Sequence, residues 1–172
     1  MKILAEISDS TLGIGLGPEY GREYRLRKSA RGVLINSQGE MAVQYLERFH
    51  FHKLPGGGVD QGETLEEALR RELKEEVGCD CSNIEPLGVV IEYRDEMNLL
   101  HISYGFFAKV SGEIGAVALE PGEIADGHTT RWMDPAAALH AMKTDIPTDP
   151  QKQGLFILAR EIAILEEYLR TV

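Results

Sequence analysis

Between residues 56 and 78 the chain gathers groups suited to holding a divalent cation. Glu72, Glu75 and Glu76 fall at positions i, i+3 and i+4. On a helix this spacing makes them neighbours, and each like-charge pair costs an exposed helix about 0.2–0.5 kcal/mol. Mg2+ or Mn2+ takes oxygen ligands and would turn that repulsion into attraction. Charge pattern alone favours a solvated acidic face. Glu66 with Arg70, and Glu67 with Arg71, have the i, i+4 order of helix salt bridges, while Arg71 and Lys74 fall on other faces than the triad. The preceding segment favours a site. Gly56-Gly57-Gly58 lets the backbone approach a ligand closely and offers carbonyl oxygens, and Glu63 joins this loop to the helix. Carbonyls and carboxylates hold cations, and cations hold a diphosphate.

The elements that must position these groups are legible in part. Residues 64–77 form the clearest helix: Thr64 and Glu67 make a capping-box pattern, and Gly78 stands where a C′ glycine ends a helix. Leu65, Ala68 and Leu69 open an apolar arc that Leu73 and Val77 extend to one side. β-rich runs at 27–35 and 41–46 flank Asn36-Ser37-Gln38-Gly39, a hairpin turn. A short strand at 49–54 runs into Pro55 and the glycines, with His50 and His52 expected on one side. Strands are expected at 86–93, 101–110 and 129–133, and the segment around Leu119-Glu120-Pro121-Gly122-Glu123 reads as a loop. Asp134-Pro135 starts a helix, and a last helix over 153–170 carries Leu155, Leu158, Ile162, Leu165 and Leu169 at helical spacing as its core stripe. The order indicates an α/β fold of mixed α+β character, a mixed β-sheet covered by helices. Residues 1–24 show no clear pattern and are expected to be an N-terminal extension, with Gly13-Ile14-Gly15-Leu16-Gly17 as a flexible loop.

Residues Gly57–Cys79, GGVDQGETLEEALRRELKEEVGC, resemble the Nudix box, GX5EX7REUXEEXGU with U a bulky apolar residue. Cys79 at the final apolar position is the one departure, and a buried cysteine behaves as a small hydrophobe. The resemblance implies an α/β/α sandwich and a hydrolase that cleaves a phosphoanhydride of a nucleoside diphosphate linked to another group, such as a nucleoside triphosphate or a nucleotide sugar. It further implies Mg2+ or Mn2+ as cofactor, held by Glu72, Glu75 and Glu76 with the Gly56 or Gly57 carbonyl assisting. Glu63 and Arg71 are then expected to pair and steady the helix against the loop, with Gly56 and Gly58 against the substrate. For the base that accepts the water proton, the expectation favours Glu72, with Glu123 supporting and Glu120 also a candidate. A nucleobase could stack on Phe49, Phe51, Tyr93, Tyr104 or Trp132, Tyr93 being the choice carried forward. The alternative is a non-catalytic Nudix domain that senses nucleotides, a reading weakened by the intact glutamates. Isomerase chemistry on an isoprenoid diphosphate would want a cysteine in the pocket, and Cys79 and Cys81 lie at the wrong end of the helix.

Composition bounds the rest. A chain of 172 residues fits a single domain, 43% hydrophobic and 27% charged. The net charge of −10 disfavours a nucleic-acid partner, whereas a small anionic substrate stays open because a bound cation reverses the local charge. No apolar run reaches bilayer-spanning length, so no membrane partner is expected. The beginning of the chain lacks the apolar run of a signal peptide. Together with two closely spaced cysteines read as reduced thiols, this gives a cytoplasmic expectation. The reading admits a homodimer.

Overall fold

The computed structural model describes residues 1–18 and 22–172. Seven strands form one mixed sheet: β1 (Ile3–Ser8), β2 (Arg25–Ile35), β3 (Met41–Leu46), β4 (Phe51–Lys53), β5 (Asp80–Arg94), β6 (Leu99–Ser111) and β7 (His128–Met133). Their order is β1-β5-β6-β2-β3-β4, with β7 pairing β3. β1 runs parallel to β5 and β2 parallel to β6, while the remaining pairs are antiparallel. The helices are α1 (Leu65–Val77), α2 (Pro121–Asp126), α3 (Pro135–Thr144) and α4 (Gln153–Thr171).

Alternation along β2 shows why helices must cover both faces. Ala30 and Leu34 pack with Leu69, Leu73 and Val77 of α1, whereas Val33 and Ile35 pack with Leu158, Ile164 and Leu165 of α4. Successive strand residues point to opposite faces, so a strand this apolar needs cover on each side. The result is the expected α/β/α layering.

Three expectations change. Residues 3–8 of the supposed extension form β1 at the sheet edge, parallel to β5, a long-range pairing that local sequence does not announce. Residues 121–126 form the short helix α2, capped by Glu120 and ended by Gly127. The core stripe of α4 is rotated. Leu155, Ile162 and Leu169 are only half-buried, and the buried face includes Phe156, Ile164 and Tyr168 together with Arg160 and Glu161.

Those two charges belong to a buried network. Arg160 Nη1 lies 3.1 Å from Glu92 Oε1, and its Nη2 lies 2.6 Å from Glu161 Oε1. Arg94 donates to Glu92 Oε2 at 2.8 Å, and His101 Nδ1 lies 3.0 Å from the same oxygen. Burial alone would raise the Glu92 pKa, but Arg160, His101 and Arg94 outweigh it and bring it down to about 2. Burial drives His101 down to about 4, against the help of Glu92.

Both groups make the fold acid-sensitive. An unfolded histidine takes a proton near 6.5, whereas folded His101 resists until about 4, so stability falls as pH drops through that window. Glu92 extends the loss from 4.5 towards 2. Thermal melts should show a lower midpoint at pH 4.5 than at pH 7, and His101→Gln should shrink the difference. Equal midpoints in the native protein would count against this electrostatic reading.

Candidate active site

The site is built where α1, the glycine loop and the end of β4 meet. α1 starts at a complete capping box: Thr64 accepts from Glu67 N–H, and Glu67 accepts from Thr64 N–H. It stops at Gly78, whose φ of 78° is left-handed. Between these ends Glu72 and Glu76 lie buried among Ala68, Leu69, Leu73 and Val77, so two of the three carboxylates share the helix's core-facing side. Glu75 is half-buried beside them.

Glu76 is the most enclosed, at 1% exposure. Its Oε1 lies 2.9 Å from Lys53 Nζ and its Oε2 accepts from Gly56 N–H at 2.5 Å. Its backbone carbonyl accepts from Gln44 Nε2 at 3.1 Å and from Thr130 Oγ1 at 2.9 Å. Burial opposes its charge, but Lys53, the Gly56 amide and Arg31 more than compensate and hold its pKa low. Arg31 also donates to the Gly56 carbonyl, so the Gly56 peptide is held at both ends. A Cβ at Gly56 would strike the Ala30 carbonyl oxygen, and its φ of 127° suits glycine alone.

Arg71 reaches further than its helical position implied. Nε and Nη2 meet Glu63 at 2.8 and 3.0 Å, Nη2 donates to the Gly58 carbonyl at 2.9 Å, and Nη1 meets Glu72 at 2.8 Å and Glu75 at 3.2 Å. The expected Glu63–Arg71 pair is therefore present. Arg71 also relieves two of the repelling glutamates, more fully than its place on another helix face implied. Burial raises the Glu72 pKa, with Arg71 working against that and Glu76 adding to it. Glu72 lies so close to the loop that a Cβ on Gly57 would overlap its carboxylate. Of the two expected helix salt bridges, Glu66–Arg70 forms at 2.7 Å, while Glu67 is used as a cap.

α2 and β7 close the site from the other side. Ligand atoms of Glu76, Glu123 and His128 all lie within 4.8 Å of one another. Glu123 is raised to about 7, first by burial, with the Glu120 amide opposing and the neighbouring Glu76 carboxylate adding to the rise. Burial, then the charge of Lys53, pushes His128 down to about 4, which leaves a neutral imidazole at neutral pH. Its Nδ1 is buried with no hydrogen-bond partner among the described residues, 3.8 Å from Glu123. The Glu76 carboxylate and the imidazole nitrogen are donors suited to a divalent cation, and the Glu123 carboxylate stands within reach of both.

The structure thus brings together Gly56, Gly57, Gly58, Glu63, Arg71, Glu72, Glu75, Glu76 and Glu123. Tyr93 stands apart on β5, paired in register with Ser8 and Leu100, its ring 6.0 Å from that of Tyr24. His50 is in a turn with φ 58°, while His52 is buried against Asp145 at 2.9 Å. Lys53, Arg31 and His128 are participants that sequence reasoning missed. Lys53 alone left a trace, as a charged residue between an apolar strand and the glycines. Beside the site opens a cleft of about 380 Å³ lined by Leu46, Phe49, Phe51, Asp126, Gln151 and Ile157, among others. Leu46 pairs with His128 across β3 and β7, and Phe51 is two residues before Lys53 on β4, so the cleft and the carboxylates share one end of the sheet.

Residues 25–152 match the family described as the NUDIX domain. The chain belongs to the NUDIX family. It is 45% identical over 60 residues to an 8-oxo-dGTP diphosphatase of Haemophilus influenzae, covering 33% of this chain and 44% of that protein. It is 42% identical over 62 residues to an RNA pyrophosphohydrolase of a Sulfurovum species, covering 36% and 33%. These matches span less than half the length of either relative. Among solved structures, a MutT NUDIX hydrolase from Burkholderia pseudomallei aligns with a TM-score of 0.52 at 25% identity over 79% of this chain and 98% of that one. The E. coli ORF135 protein aligns at 0.59 with 18% identity over 90% and 94%, a likeness of fold. Among the described residues of this NUDIX chain, no helix is long and apolar enough to cross a membrane.

Gly56→Ala tests the doubly held peptide. A side chain there must relieve both a backbone collision and a left-handed φ, so a loss of at least about 2 kcal/mol is expected, seen as a thermal midpoint lowered by about 5 °C or more. An unchanged midpoint would mean that the loop is not packed as described.

Proposed function

We propose that this NUDIX protein is a divalent-metal-dependent hydrolase that cleaves a phosphoanhydride in a nucleoside diphosphate linked to another group, nucleoside triphosphates included. The observation that carries the reading is the meeting of Glu123 with Glu76 and His128 beside the glycine loop, at the end of the sheet where the cleft opens. Glu72, Glu75, Glu76 and the Gly56 or Gly57 carbonyl, joined by His128, would hold Mg2+ or Mn2+. When bound, the cation neutralises diphosphate oxygens and acidifies water.

The chain's own groups supply the remainder. The aromatic and apolar walls of the cleft, Phe49 and Phe51 among them, suit a nucleoside. Water oxygen bonds to phosphorus as the anhydride P–O bond breaks, and the departing phosphate oxygen keeps the electron pair. The water proton passes to a carboxylate. We assign that role to Glu123 rather than Glu72, because Glu72 is engaged by Arg71 and packed close against Gly57, whereas the half-buried Glu123 has its pKa raised to about 7. A base near the working pH is the effective kind.

The decisive experiment incubates the protein and Mg2+ or Mn2+ with nucleoside triphosphates, oxidised ones included, nucleotide sugars, ADP-ribose and dinucleoside polyphosphates. Products are read by mass in 18O-water. One class should release a nucleoside monophosphate, with a single labelled oxygen on whichever of the two phosphate products carries the attacked phosphorus. Binding without turnover across the panel would replace the hydrolase by a nucleotide sensor.

Glu123→Gln should lower kcat by about 10²-fold or more, the size of a lost general base, with the metal dependence little changed. Glu76→Gln should instead weaken metal activation. A Glu123→Gln enzyme with full kcat would return the base to Glu72.

A further inference from the structure

Lys53 has no part in the chemistry above, yet it is among the most constrained charges in the molecule. It ends β4, is 8% exposed, and points its ammonium at Glu76 Oε1 from 2.9 Å. Its register partner on β3 is Gln44, which holds the Glu76 backbone carbonyl. Glu123 and His128 are close enough to feel its charge. Burying an ammonium beside a carboxylate is costly, and an apolar pair of similar shape is often as stable, so fold stability alone does not explain a lysine here.

The two oxygens of Glu76 are both used: Oε2 by the Gly56 amide, which fixes the loop, and Oε1 by Lys53. Each carboxylate oxygen has more than one lone pair, but the partner of Oε1 is a movable side chain, so Oε1 is the oxygen a cation can take over without disturbing the loop. We propose that Lys53 and the divalent cation compete for Glu76 Oε1, so that Lys53 sets how tightly the site binds metal and is released towards the substrate's phosphates when metal enters. This rests on the metal-dependent reading of the site. Electrostatics gives the sign. An ammonium within 3 Å of a ligand oxygen opposes a second cation, and burial keeps that repulsion from being screened away. Removing the charge should therefore tighten metal binding, the reverse of what loss of a supporting structural residue would do.

Mn2+ binding to the full chain, followed at pH 8 through the electron paramagnetic signal of free Mn2+, tests this without turnover. Lys53→Met should bind Mn2+ about tenfold tighter or more, and Lys53→Arg, which keeps the charge, should stay within about threefold of the native protein. Lys53→Met binding no tighter than the native protein overturns the inference. A native protein that binds no Mn2+ would instead sink the metal site itself, a separate result. The unaltered protein gives a second measurement should Lys53→Met misfold. With 13C-labelled lysine, the Lys53 Cε resonance, assigned by its loss in Lys53→Arg, should shift saturably on adding Mg2+. A resonance that stays in place while Mg2+ binds overturns the competition.

Discussion

The architecture of the site depends on keeping one carboxylate charged inside the protein. An ionised group at 1% exposure survives only if each oxygen has a partner, and Glu76 obtains its partners from elements far apart in sequence. The Gly56 amide comes from the loop and Lys53 from β4, while Gln44 of β3 and Thr130 of β7 hold the same residue by its backbone. One helical residue thus fixes the position of the loop, three strands and α1 relative to one another.

The same constraint links the two faces of the sheet. Arg31 donates to the Gly56 carbonyl on one side, and its Nε lies 4.0 Å from Glu161 of α4 on the other. Burial brings the Arg31 pKa down to about 10, with Arg160 adding to the fall and Glu161 opposing it. Glu161 continues through Arg160 to Glu92, Arg94 and His101. A helix that touches none of the expected ligands therefore supports the loop that does. The cost of so many buried charges is acceptable only because nearly every one faces an opposite charge, and removing any single member would strand its neighbour.

Placing α2 and β7 against this frame is what turns an acidic helix face into a chemical site. β7 pairs with β3 along its length, from Met41–Met133 to Leu46–His128, and that register sets His128 beside the cleft. Gly127 ends α2 with a left-handed φ of 69°, which turns the chain so that Glu123 and His128 face each other and Glu76. Burial and neighbouring groups then separate their titrations: Lys53, the Gly56 amide and Arg31 keep Glu76 charged against burial, while burial leaves His128 neutral and Glu123 able to exchange a proton near neutrality.

Local patterns determined much on their own. The Thr64–Glu67 cap, the Gly78 stop, the glutamate spacing on α1 and the glycine loop are short-range features, so the sequence revealed α1 and the box, and the resemblance of the box implied the Glu63–Arg71 pair. Strong β-runs such as 27–35 revealed the mixed sheet by the same logic. Tertiary structure alone decided the rest, because each remaining feature is a long-range pairing. β1 exists through its parallel register with β5, across about 85 residues of chain. The buried face of α4 was misplaced because Arg160 and Glu161 look solvent-facing until Glu92 and Arg31 are seen opposite them. Lys53 and His128 gave no periodic signal, since a single polar residue on a strand acquires meaning only from what the fold sets across from it. Which carboxylate can take a proton is likewise a matter of burial and neighbouring charge, quantities that come into being only when distant segments pack.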